Sequence, residues 1–196
     1  MPPKYLALAR DRAEMTWPNY KQPENFGYDF REWVSPYTKS AHALGGIAFV
    51  LQDWASAKGL EGGPKDEVQK YGRTPTLLTN KRFDKLLQVV LGLNVTEVYV
   101  TNAFPFVKLG GMSDPISSAD VSASVLRFAQ KELEIVQPKF VFSLGAVAHA
   151  SLSKCGIESI KLPHPAARIG GFLKHEAAWR EAMANLKIRT VKSIPA

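Results

Sequence analysis

With 196 residues, 45% of them apolar, and a formal net charge of +7, the chain has room for one α/β domain with a sizeable core. No apolar run approaches the roughly 20 residues of a membrane-spanning helix, and Met1-Pro2-Pro3-Lys4-Tyr5 lacks the apolar core of a secretory signal. A single cysteine, Cys155, excludes an internal disulfide framework and any all-cysteine metal or iron–sulfur site; a reducing, cytoplasmic setting is expected.

Residues 1–43 read as an irregular, partly helical lead-in with aromatic anchors at Trp17, Tyr20, Phe26, Tyr28, Phe30 and Trp33. Strand and helix patterns then alternate. Ile47–Leu51, Glu97–Thr101, Lys139–Leu144 and Ser159–Leu162 are short and apolar enough to be buried on both faces. Between them, Phe83, Leu86, Leu87, Val90 and Leu91 form one apolar helical stripe, with Thr79 or Asn80 as the expected cap. Leu126, Ala129, Leu133 and Val136 repeat that spacing before Pro138 closes the helix. Residues 145–153 and 172–186 supply two further helices. The order predicts a single domain over 1–196 in the α/β class, a three-layer α/β/α sandwich about a central, mainly parallel four-stranded sheet. Two Gly/Pro-rich segments, Ala55 to Asn80 and Phe104 to Ser118, are expected to emerge on one rim.

Ligands of such folds bind beyond the carboxyl ends of the strands, which selects three polar residues. Asp53 follows the first apolar run, where a carboxylate either caps the next segment or orients water and stabilises a developing cation. Asn102 closes Val98-Tyr99-Val100-Thr101, and its amide either forms a turn or matches the donor–acceptor edge of a pyrimidine. His164 lies between Pro163 and Pro165, which stiffen its loop. His42, His149 and His175 have no comparable setting, and no histidine pair has metal-ligand spacing. Residues 161–196 hold seven Lys/Arg against two Glu; a basic surface beside the His164 loop suits a polyanion such as nucleic acid.

Together these segments resemble the uracil-DNA glycosylase superfamily. Gln52-Asp53 is similar to the family's Gln-Asp pair after strand one, although Leu51 replaces a glycine and Trp54 a proline. Asn102 resembles the base-reading asparagine after a central strand. His164-Pro165-Ala166-Ala167-Arg168 is similar to its His-Pro-Ser motif and wedge, with Ala166 in place of serine, and residues 137–146 resemble its buried strand and Gly-Ala helix start.

The resemblance covers residues 45–187 and implies a member without an iron–sulfur cluster or other cofactor, acting as a monomer on uracil, with other deaminated bases as an extension, in single- or double-stranded DNA and leaving an abasic site. It implies that Asp53 stabilises the sugar cation and positions water, and that His164 stabilises charge on the departing base. Asn102, Gln52, Trp54 and Phe104 would contact the flipped base. Arg168 or Ile169 would fill the gap in the stack, and the basic segment carrying Lys174 and Arg180 would grip phosphates. Ala55 stands where one branch has a thymine-excluding tyrosine, leaving Trp54 as rival gatekeeper or a more permissive pocket. The stacking aromatic is open among Tyr71, Phe83, Phe104 and Trp54. A uracil-DNA or abasic-site binder with little turnover is the alternative within the family. The chain has no GxxxxGK[ST] or GxGxxG pattern, which disfavours an unrelated nucleotide-processing enzyme.

Overall fold

A computed structural model describes residues 3–35, 37 and 44–192, with side chains described to Leu186. His42 and the basic side chains at 187, 189 and 192 lie outside the described residues. The sheet has five strands in the order β1-β3-β2-β4-β5: β1 (Tyr20–Lys21), β2 (Ile47–Ser56), β3 (Tyr99–Lys108), β4 (Phe140–Leu144) and β5 (Ile160–Leu162). The four expected strands are all present and parallel. The fifth, β1, comes from the lead-in and pairs antiparallel with the end of β3, Tyr20 opposite Lys108.

Helices cover both faces. On one, α3 (Leu78–Leu86) and α7 (Phe172–Lys192) enclose a core of Phe49, Leu51, Phe83, Val100, Phe142 and Trp179. On the other, α4 (Ser118–Ser124), α5 (Gln130–Val136) and α6 (Ala146–Lys154) cover Val50, Phe106, Phe128 and Leu152. Phe49 and Val50, adjacent on β2, serve opposite cores, as strand alternation requires. The architecture is a three-layer α/β/α sandwich.

Strand lengths are unequal. β2 and β3 each run ten residues, whereas β4 has five and β5 three. The expected β2 ended at Leu51 and the expected β3 at Thr101, where the apolar patterns stop. The two strands continue because each pairs with the other, Leu51 against Asn102 and Asp53 against Phe104. Pairing with β4 ends at Val50 and Ser143. Residues from Gln52 onward therefore project past β4 and β5.

Other local expectations are corrected. Leu77 precedes α3 as its extended N-cap residue, with no side-chain cap. Asn80 instead donates to the Thr74 carbonyl (2.7 Å) from inside the helix. A π turn, Leu87–Leu91, extends α3, and another, Val125–Ala129, joins α4 to α5. The buried stripe there is Val121, Val125, Phe128, Ala129, Leu133 and Val136, while Leu126 is exposed. The segment from Ala55 to Asn80 is more regular than its glycines and prolines suggest. It finishes β2 and holds a 3₁₀ turn (Ala57–Leu60), the short helix α2 (Asp66–Tyr71) and the start of α3.

The lead-in is fastened by a buried ion pair. Arg12, on α1 (Pro3–Glu14), contacts Glu132 at 3.1 Å and donates to the carbonyls of Val34 (2.6 Å) and Trp33 (2.8 Å). Tyr99 donates to the other Glu132 oxygen (2.8 Å). Burial raises the Glu132 carboxyl above its usual range, with Arg12 acting in the opposite direction. Removing one partner of such a pair strands the other charge. Arg12→Met is therefore expected to lower unfolding free energy by about 3–5 kcal/mol, measured by urea denaturation, with part of the loss recovered in Arg12→Met/Glu132→Gln.

Candidate active site

The crevice in this sheet follows from its connections. The chain leaving β2 passes to the face carrying α3, whereas those leaving β3 and β4, on either side of it, pass to the face carrying α4, α5 and α6. Neighbouring strands whose exits part in this way leave an opening at their carboxyl ends. Asp53 lies on the part of β2 that extends into that opening.

Asn102 pairs with Leu51 on the neighbouring strand. Its side chain follows Val98 and Val100 on the α3/α7 face by strand alternation. The residue is 1% exposed, and neither its amide nitrogen nor its oxygen has a hydrogen-bond partner among the described residues. A buried primary amide without partners is costly, on the order of 1–3 kcal/mol per unsatisfied group. A turn-forming asparagine would have spent these groups on nearby backbone. This one retains them inside the sheet.

His164 reaches the same level from β5. Leu144 pairs with Leu162, and the Gly145 amide donates to the Leu162 carbonyl (2.9 Å). Gly145 has φ +95°, and a Cβ there would lie 3.3 Å from the His164 Cβ. Glycine thus provides both the turn and the space for the imidazole. His164 Nδ1 accepts the Ala166 N–H (3.2 Å), which places the proton of a neutral ring on Nε2. Burial lowers its pKa from the usual 6.5; the Asp53 charge opposes that shift and His175 adds to it. Asp53 and His164 are therefore close enough to interact electrostatically.

Two residues outside the sequence-level candidates hold the loop. Arg82, on α3, donates to the Pro165 carbonyl. His175, on α7 and fully buried, has Nε2 3.0 Å from the Ala167 carbonyl. Arg82 and His175 are also 3.3 Å apart. His175 occupies the inner face of a regular helix, so the sequence offered only a histidine at an apolar-periodic position. Tyr37 was likewise missed because it lies in the irregular lead-in. It packs against the core, and burial pushes its phenol up to about 12, with Arg73 lowering it and Asp53 raising it.

Asp53 itself is 11% exposed, and its Oδ2 lies 2.9 Å from Lys108 Nζ. It does not cap a helix, because β2 continues to Ser56. Gln52 is half-buried beside it. Trp54 is not at the mouth: its indole donates to the Gly72 carbonyl (2.8 Å), and its ring packs edge-on to Tyr28 and Phe30. Phe104 is fully buried against Trp17, Tyr20 and Phe106, so it presents no face to a base. Phe83 is enclosed with Phe49 and Trp179. Of the four aromatic candidates only Tyr71 is exposed.

A cleft of about 410 Å³ runs between the start of α3 and the His164 loop, lined by Leu78, Arg82, Pro165, Arg168 and Gly170 among others. It flanks the loop and does not include Asp53 or Asn102. Leu77, Leu78, Ile169 and Leu173 are exposed around it, and the Lys174 stem lies against Gly170. Arg180 faces elsewhere, pairing with Glu176 (2.8 Å) and donating to the Val89 carbonyl (2.7 Å). Among the described residues no cluster of three or more His, Cys, Asp or Glu side chains is arranged to hold a metal ion.

Residues 36–187 match the family described as the Uracil DNA glycosylase superfamily. The chain belongs to that superfamily. The matched segment contains every candidate site residue and runs from just before Tyr37 into α7. Comparison with curated proteins returned no match. Superfamily membership supports a glycosylase-type hydrolase acting on DNA.

Neutral His164 accepts a hydrogen bond at Nδ1, so protonation there would break the Ala166 contact as well as adding charge. With its pKa lowered, the neutral form persists below the usual 6.5. The single-turnover cleavage rate is expected to be level through neutral pH and to fall only below about 6.5. The corresponding limb should be absent in His164→Gln.

Proposed function

We propose that this protein hydrolyses the N-glycosidic bond of uracil, and of related deaminated pyrimidines, in DNA. The observation that carries the reading is the Asn102 amide, buried with donor and acceptor both unpartnered, at the level of Asp53 and His164. A uracil edge offers N3–H to its oxygen and O4 to its nitrogen. Cytosine reverses that pattern, so one amide orientation favours uracil.

In this scheme the nucleotide leaves the duplex and its base is read by Asn102, with Gln52 beside it. As the C1′–N1 bond lengthens, positive charge grows on the sugar and negative charge on the base. Asp53 faces the cation and orients the attacking water; neutral His164 presents Nε2–H to the base oxygen. Both groups act on charges that exist near the transition state, so they lower the barrier more than they tighten binding. The tight ring packing of Trp54 removes it as the gate against 5-substituted bases, and Ala55 puts no bulk there either, so tolerance of some 5-substituted uracils is part of the proposal. Arg168, Ile169 and Lys174 line or flank the cleft beside the His164 loop. They form the DNA-facing surface of this reading, with cations for phosphates and an apolar tip for the gap in the stack.

The test uses end-labelled single- and double-stranded oligonucleotides containing uracil, with alkaline cleavage of the abasic product. Wild type is expected to cut both. Asp53→Asn and His164→Ala should each reduce the single-turnover rate by roughly 10²–10³ with small changes in affinity. Asn102→Asp should lose uracil excision and gain activity toward cytosine. Binding without cleavage by wild type would favour the low-turnover alternative, and near wild-type rates in both Asp53→Asn and His164→Ala would reduce the likeness to one of fold.

A further inference from the structure

We infer that Lys108 is a positioning residue for Asp53, fixing the carboxylate toward the reacting sugar and tying it to the loop that follows β3. The inference rests on the glycosylase reading and assigns a role that the superfamily motifs do not include.

Lys108 is the last residue of β3, and its backbone is held on both sides, against Tyr20 of β1 and Ser56 of β2. Its side chain is 4% exposed. The ammonium donates to the Met112 carbonyl at 2.6 Å and the Asp114 carbonyl at 3.1 Å, and forms an ion pair with Asp53 Oδ2 at 2.9 Å. Two hydrogen bonds to backbone and one ion pair hold the side chain from the turn on one side and from β2 on the other. A buried side chain held in this way suits an anchor and not a nucleophile.

For Asp53 the consequence is geometric. Oδ2 is sealed from solvent and held by the Lys108 charge 2.9 Å away, an ion pair without hydrogen-bond alignment. Oδ1 makes no hydrogen bond among the described residues, and it is the oxygen left to face water and the sugar. A carboxylate on a single rotatable arm would otherwise sample several rotamers. A register irregularity between β2 and β3 just past Asp53 brings the end of β3 alongside it, so the clamp comes from the neighbouring strand. The turn from Leu109 to Asp114 completes the anchor. Asp114 accepts the Gly111 N–H (2.7 Å), and Gly110 leaves no room for a side chain beside the Asp114 carboxylate. Leu109 and Met112 are exposed on this turn. Whatever orders the turn also orders the carbonyls that hold Lys108, and through it Asp53.

Single-turnover rates on a uracil oligonucleotide test this together with affinity for a non-cleavable uracil-analogue duplex. Lys108→Met keeps the stem and removes the charge. It is expected to slow cleavage by about 10- to 100-fold, the scale of a misplaced reacting group, with affinity changed less than threefold. In an Asp53→Asn background the same substitution should cost nothing further, because the residue acts only through Asp53. Asp114→Ala alters an exposed residue, so it tests the anchor without endangering the fold. It should lower the rate in the same direction, again with no effect when Asp53 is absent. If Asp53→Asn is slow while Lys108→Met and Asp114→Ala both cleave at wild-type rates, the positioning role is overturned and the glycosylase reading stands. If Asp53→Asn itself cleaves normally, the glycosylase site fails and the inference with it. Borohydride trapping of the protein on its abasic product, lost in Lys108→Met, would make Lys108 a nucleophile and would also overturn the positioning role.

Discussion

The site depends on the mismatch in strand length between the two halves of the sheet. β2 and β3 continue together past the point where β4 and β5 stop. The long pair carries Asp53 past the ends of β4 and β5 on rigid, hydrogen-bonded backbone, with Asn102 buried at the level where the short pair stops. The short pair ends early enough for Gly145 and the Pro163–Arg168 loop to turn in front of them. Had all four strands been of equal length, these polar residues would lie inside the sheet with no opening. Placing them on strands instead of loops limits their freedom, as a catalytic constellation requires.

The second constraint is the management of polarity in a buried place. Asn102 keeps an unsatisfied amide, a local cost that a correctly matched ligand would repay. Asp53 carries charge into the same region and is compensated by Lys108. His164 is held neutral by burial, its proton placed by the Ala166 amide. Asp53 and His164 are thus each held in position or protonation state by neighbours, whereas the Asn102 amide is left unpartnered. Arg82 on α3, His175 on α7, Lys108 at the end of β3 and Gly145 in the turn between β4 and α6 supply that support. Pre-organisation of this kind lets electrostatic groups act without reorganising when charge develops.

Much of this was legible in the amino-acid sequence. The apolar runs at 47–51 and 139–144 are continuous because those strands are covered on both faces, and that continuity identified a parallel sheet. Asp53, Asn102 and His164 stood out because polar residues interrupt or follow such runs. The sequence misled at Trp54 and Phe104, where an aromatic beside a polar residue looked like a pocket wall. In the fold both rings complete cores formed with the lead-in, through Tyr28, Phe30, Trp17 and Tyr20. Those partners lie more than twenty residues away in an irregular segment with no periodicity to place them. Lys108 was invisible for a related reason: at the end of an apolar strand a lysine reads as solvated, and only the register between β2 and β3 shows that it meets Asp53. β1, two residues long, carries too little pattern to be seen at all.

The most direct test of this account observes the Asn102 side chain while a base is bound. Selective ¹⁵N labelling of asparagine in Asp53→Asn protein, with Asn102→Ala to assign the signal, reports on the amide during titration with a uracil-containing oligonucleotide. The Asn102 side-chain NH₂ resonances are expected to shift as uracil DNA saturates the protein, and a matched cytosine oligonucleotide should leave them in place. Saturable uracil-DNA binding with those resonances unmoved would show that the buried amide does not read the base, and would contradict the account.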